Sequence, residues 1–77
     1  MQTKVDVELD LCGLSCPLPL LKTKQSLNKM TAGQIVKVVA TDPGSEMDFQ
    51  VFAEQSGNRL LEFTKDGEKY FYWIRKS

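Results

Sequence analysis

The sequence predicts a two-layer α/β sandwich in the order β-α-β-α-β-β, with a mixed four-stranded sheet and two helices on one face. Three observations carry that expectation. Apolar Val5, Val7, Leu9 and Leu11 alternate with Asp6, Glu8 and Asp10, the period-two pattern of a strand with one wet face. Two later segments place apolar residues at helical spacing on either side of a β-branched run. The last third holds two strand-like runs around Asp66-Gly67, a two-residue hairpin signal. Helical crossovers favour parallel neighbours with right-handed connections. The hairpin adds an antiparallel pair, and two helices most simply cover one side of the sheet. At 77 residues, the chain 1–77 reads as a single domain without repeats or linkers.

Taken in order, the first strand runs to Leu11, and Cys12 to Cys16 form a short loop containing Gly13. Pro17 opens a segment in which Leu20, Thr23, Leu27 and Met30 follow helical spacing. Thr31-Ala32-Gly33 stops it, with Gly33 suited to a left-handed exit. Gln34 to Thr41 carries Ile35, Val36, Val38, Val39 and Ala40, a run that reads as a strand buried on both sides or nearly so. Asp42-Pro43-Gly44 is turn chemistry. Ser45 and Asp48 have the spacing of a capping box, opening a second helix through about Gln55 with Phe49, Phe52 and Ala53 on one face. Ser56-Gly57 ends it. Arg59 to Lys65 and Glu68 to Lys76 are the closing strands.

Composition removes several functions. Hydrophobic residues make up 42% and charged residues 26% of the chain, too apolar for disorder. Ten basic and ten acidic side chains cancel, whereas a nucleic-acid clamp is normally basic. The chain has no histidine, which excludes imidazole bases, Ser-His and Cys-His dyads and most zinc sites. The start Met1-Gln2-Thr3-Lys4-Val5-Asp6 has no apolar leader core, and no stretch approaches the roughly 20 apolar residues of a membrane span. With only Cys12 and Cys16, the expectation is a cytoplasmic domain with reduced thiols.

The chemistry concentrates at Cys16-Pro17-Leu18-Pro19. With Cys16 as N-cap, Pro17 stands at the first helical position and Pro19 at the third. Prolines fit there, because first-turn amides have no internal partner and the ring presets the backbone. Lacking amide hydrogens, they leave the Leu18 amide free to point at the Cys16 sulfur. The positive end of the helix then favours thiolate, predicting a lowered pKa and a nucleophilic sulfur. The same field would stabilise an anionic persulfide. Gly13 lets the loop turn tightly and sets Cys16 at an exposed corner. The competing reading is an inert cysteine packed among Leu14, Leu18 and Leu20.

Asp10-Leu11-Cys12-Gly13-Leu14-Ser15-Cys16-Pro17-Leu18-Pro19 resembles the D-x-x-G-L-x-C-P-x-P signature of the TusA/SirA-like sulfurtransferase family. Leu21-Lys22-Thr23-Lys24, Thr41-Asp42-Pro43-Gly44-Ser45 and Ile74-Arg75-Lys76 also look like family landmarks, so the resemblance covers essentially the whole chain. It implies a β-α-β-α-β-β sandwich in which Cys16 accepts and donates persulfide sulfur between proteins. The partners it implies are a persulfide donor, a cysteine desulfurase or rhodanese, and a sulfur-acceptor protein. Such relays serve tRNA thiolation, molybdenum-cofactor biosynthesis or sulfur oxidation. No cofactor is needed, since thiolate exchange supplies the chemistry. No direct contact with nucleic acid or membrane is expected, and the expected state is a monomer.

Cys12 lies outside the signature and reads either as a resolving thiol for Cys16 or as a strand-end residue that happens to be cysteine. The pair alone does not complete a metal shell. Between Leu11 and Thr41 every charged residue is a lysine, namely Lys22, Lys24, Lys29 and Lys37; from Asp42 to Glu54 all are acidic. Lys22 and Lys24 either steer an acidic partner and favour anionic sulfur or are a solvated helix face. Asp42 either shapes the partner surface, at the strand edge where such sheets bind ligands, or belongs to a turn. On the last strand, alternation sends Tyr70 and Tyr72 to one face and Phe71 and Trp73 to the other; sequence alone does not decide which pair is outside. Two rival functions follow. One is an interaction module using the sheet face, with Cys16 structural. The other is an RNA-binding domain, since the predicted fold resembles the C-terminal domain of bacterial translation initiation factor three.

Overall fold

A computed structural model describes residues 4–77; Met1-Gln2-Thr3, on which part of the leader reading falls, lies outside the described residues. The elements are β1 (Val7–Leu11), α1 (Leu18–Asn28), β2 (Ile35–Ala40), α2 (Ser45–Ser56), β3 (Arg59–Asp66) and β4 (Lys69–Arg75). They form one four-stranded sheet in the order β1-β2-β4-β3. β1 and β2 are parallel, with Leu9 opposite Val38 and Leu11 opposite Ala40. β4 runs antiparallel to both β2 and β3. This is the mixed α/β sandwich expected.

Its core lies between the sheet and the helices. Val36 and Val38 from β2, Tyr70, Tyr72 and Ile74 from β4, Leu27 from α1, Met30 just after it, and Phe49 and Phe52 from α2 form one cluster. The register Val38 opposite Tyr72 sets the phase of β4, so Tyr70 and Tyr72 point inward and Phe71 and Trp73 lie half-buried on the open face. The strand β2 is buried on its inner face and half-buried on the other. Its alternate residue Lys37 sits on the open side, with Nζ 5.6 Å from the centroid of Phe71 and 5.5 Å from that of Trp73. The ammonium lies within cation–π distance of both aromatics, and its stem covers the open face beside them.

Several boundaries differ from expectation for local reasons. β1 starts at Val7; before it, the Asp6 amide donates to the Ile35 carbonyl and the Asp6 carboxylate accepts from the Ile35 amide, each at 2.8 Å. The hairpin turn is Gly67-Glu68, because Asp66 pairs with Lys69 and Gly67 takes a positive φ of 62°. The capping box does not form. Gly44 is the cap residue of α2, and the Ser45 hydroxyl is 2.7 Å from the Tyr72 hydroxyl in the core. Burial won over capping, since the Tyr72 oxygen needs a partner inside. At the other end of α1, Lys76 reaches in from the chain's end and donates to the Leu27 carbonyl at 2.7 Å, placing a cation at the negative helix terminus.

Candidate functional site

Leu11 is buried at the end of β1, and the chain must then turn sharply to start α1. Gly13 makes the turn with φ of 85°, and its amide donates to the Thr41 hydroxyl at 2.9 Å. That bond ties the loop to the end of β2, so both parallel strands end at the same edge. The Leu18 amide donates to the Ser15 carbonyl at 2.9 Å, closing a tight turn around Cys16 and Pro17. The Cys16–Pro17 peptide bond is cis. Pro19 is buried and Thr23 donates to its carbonyl at 2.8 Å, which anchors the first turn of α1 in the core. Cys16 itself is exposed, and so is Cys12; both are free thiols. The reading of Cys16 as packed away from solvent therefore fails.

The left-handed turn gives a measurable expectation. No atom lies within 4 Å of a Cβ built on Gly13, so Gly13→Ala meets only the backbone penalty, about 1–2 kcal/mol. Asparagine tolerates this region better. Thermal unfolding of Gly13→Ala is expected well below wild type, with Gly13→Asn in between. Equal melting for the two variants would contradict this account.

Three expectations about the sulfur are corrected. Pro17, not Cys16, is the cap residue of α1, and Leu18 is its first residue. The Leu18 amide is spent on Ser15 and does not reach the sulfur. Cys16 Sγ instead donates to Asp48 Oδ2 at 3.0 Å. This hydrogen bond, then slight desolvation and the charges of Asp48 and Asp42, hold the thiol above its ordinary pKa rather than below it. The helix field is spread over the whole first turn, whereas the carboxylate acts at contact distance, so the carboxylate wins. The fold thus favours the thiol over the thiolate at Cys16.

The lysines take no part in this. Lys24 Nζ lies 5.5 Å from the Phe52 ring centroid, and Lys22 is exposed on α1; the charges that act on Cys16 are acidic. Asp42 does stand at the sulfur's edge of the sheet. Its Oδ2 is buried and, among the described residues, without a hydrogen-bond partner. Cys12 forms its own pair: its amide donates to Asp10 Oδ1 at 3.1 Å. Hydrogen bonding to Asp10 pushes the Cys12 thiol up and holds the Asp10 carboxyl down. Asp48 was missed as a site residue because its position three after Ser45 was absorbed by the capping pattern. Nothing local links it to a cysteine 32 residues earlier.

Among the described residues no group of three or more Cys, Asp or Glu side chains could hold a metal ion, and no helix is long and apolar enough to cross a membrane. A groove of about 520 Å³ lined by Gln50, Ala53, Gly57 and Arg59 lies at the far end of α2 from the sulfur.

Fold and site together define a small α/β sandwich that presents a thiol where a strand hands over to a helix. The chain belongs to the family described as Sulfurtransferase TusA, which matches residues 7–76. It is similar to the sulfur carrier protein TusA of Allochromatium vinosum, 53% identical over 72 residues that cover 94% of this chain and 95% of the relative. It is also similar to the sulfur carrier protein TusA of Pseudomonas putida, 39% identical over 92% of this chain and 89% of the relative. The crystal structure of a SirA-like protein from Desulfitobacterium hafniense matches with a TM-score of 0.79 at 28% identity, covering 90% of this chain and 95% of that one.

Proposed function

We propose that the chain is a persulfide carrier that works as a single-domain sulfurtransferase, with Cys16 as the sulfur-bearing residue. The observation that carries this reading is an exposed thiol held on a rigid corner in a chain of the TusA family. In loading, the Cys16 sulfur attacks the terminal sulfur of a donor's persulfide. A new S–S bond forms, the donor's S–S bond breaks, and the donor leaves as a thiol carrying the proton that Cys16 gave up. Delivery is the same exchange onto an acceptor cysteine, and it restores the free thiol. Gly13, Pro17, Leu18 and Pro19 serve by holding the corner rigid; catalysis is mainly presentation.

A cysteine desulfurase or a rhodanese fits the donor, and a protein cysteine of tRNA thiolation, molybdenum-cofactor biosynthesis or sulfur oxidation fits the acceptor. The chemistry needs no cofactor and suits a reducing compartment such as the cytoplasm, with the chain acting as a monomer. Asp42 and the acidic start of α2 border the sulfur, so a partner surface with basic groups suits this edge. Cys12 is not required for the exchange.

The test is intact mass after incubation with a persulfide-loaded desulfurase or rhodanese. Wild type and Cys12→Ser are expected to gain one sulfur atom, and Cys16→Ser none. Gain by Cys16→Ser, or no gain by wild type with several donors, contradicts the proposal.

A further inference from the structure

The geometry points to Asp48 as the positioning residue of the carrier cycle: its carboxylate docks the Cys16 thiol against α2 while the carrier is empty and releases that sulfur once it is loaded. The release half rests on the carrier reading above; the docking half stands on geometry alone. Cys16 Sγ donates to Asp48 Oδ2 at 3.0 Å, joining the loop after β1 to the first turn of α2.

A carboxylate only accepts, so the dock needs a hydrogen on Sγ. Loading removes it. Cys16–SH and a donor R–S–SH give Cys16–S–SH and R–SH, with every atom accounted for. Sγ is then bonded to Cβ and to the outer sulfur, and it carries no hydrogen. A hydropersulfide is more acidic than a thiol, so the outer sulfur is anionic near neutral pH. Lone pairs on Sγ now face lone pairs on Asp48, and the new negative charge faces Asp48 and Asp42, the charged groups that act on this sulfur. The Asp42 Oδ2 is buried without a partner among the described residues. Both carboxylates push the loaded sulfur off α2 and towards solvent, where an acceptor thiol meets it. Delivery returns a proton to Sγ and the dock closes again. Empty and loaded carrier then differ in where the Cys16 side chain sits, which gives partners a feature by which to tell them apart.

The empty state is tested by the rate of iodoacetamide alkylation of Cys16 against pH, in a Cys12→Ser background. Asp48→Asn keeps the shape and removes the charge. The midpoint is expected to move to lower pH by about half to one unit, raising the rate at neutral pH about three- to tenfold. Glu46→Gln makes the same charge change in the same helical turn and is expected to leave the profile in place. The loaded state is tested by the amide NMR shift of Asp48. In the persulfide-loaded protein it is expected to match Cys16→Ala, in which the dock is deleted, rather than the empty thiol. A profile that Asp48→Asn moves no more than Glu46→Gln overturns the dock. An Asp48 amide that stays at the empty position after loading overturns the release. Failure of every donor to load Cys16 overturns the carrier reading and the release with it, while the alkylation series still decides on the dock.

Discussion

Replacing Phe49 with alanine is expected to cost about 3–5 kcal/mol of stability, close to the whole margin of a domain this small. Phe49 is fully buried and its ring stacks on Tyr72 with centroids 4.3 Å apart and planes 21° apart. Together with the Ser45–Tyr72 hydrogen bond it seats α2 on the strand β4. Truncation removes most of the side chain's transfer free energy and leaves a void beside a ring that the sheet holds in place, so collapse is limited. Urea unfolding followed by tryptophan fluorescence would measure it, Trp73 being the only tryptophan. A loss below about 1.5 kcal/mol would mean that the helix repacks freely and that the stacked pair is not the keystone of the two layers. Because Asp48 precedes Phe49 on α2, loosening this seat should also disturb the contact to Cys16.

Stability is expected to fall steeply in the alkaline range because of Tyr72. Burial pushes its pKa from 10.0 to about 12, with the hydrogen bond to Ser45 acting in the opposite direction. In the unfolded chain the phenol ionises near 10; in the folded protein it keeps its proton until about 12. Between those values the folded state binds more protons than the unfolded state, so raising the pH favours unfolding. The stabilising contribution is complete below pH 10 and is lost as pH climbs through about 12. A shift of roughly two units corresponds to about 3 kcal/mol. The two thiols also titrate at alkaline pH, so the Tyr72 share is read from the difference between wild type and Tyr72→Phe. That variant should lose the extra alkaline slope. At neutral pH it should cost about 1–3 kcal/mol, because the buried Ser45 hydroxyl is left without its partner. Adding Ser45→Ala should recover most of that cost. If Tyr72→Phe and wild type fall in parallel above pH 10, the buried phenol is not what limits alkaline stability.

Much of the fold was legible because its signals are local. Alternation at Val7, Leu9 and Leu11 marked β1. Spacing placed Thr23 and Leu27 on the inner face of α1, Met30 just beyond its end, and Phe49 and Phe52 on the inner face of α2, all of them buried. Gly13 and Gly57 mark turning points in the sequence, and both have positive φ. The signature around Cys16 led to the correct family. Less legible were the choices between two locally equivalent answers. Alternation divides the aromatics of β4 into two pairs, but only the register against β2 says which pair faces the helices. Ser45 and Asp48 satisfy a capping pattern on paper, yet the buried Tyr72 hydroxyl and the Cys16 thiol take those side chains.

By itself, then, the order of residues determined the element sequence, the buried faces and the placement of a thiol at a strand-to-helix junction. These follow from periodicity and turn chemistry within a few residues of chain. Only the tertiary structure decided the state of that thiol. A helix start alone would draw the proton off the sulfur; two carboxylates brought in from 26 and 32 residues downstream keep it on. Charge acts through space and falls with distance, and no local pattern records which acidic groups the fold brings to the sulfur.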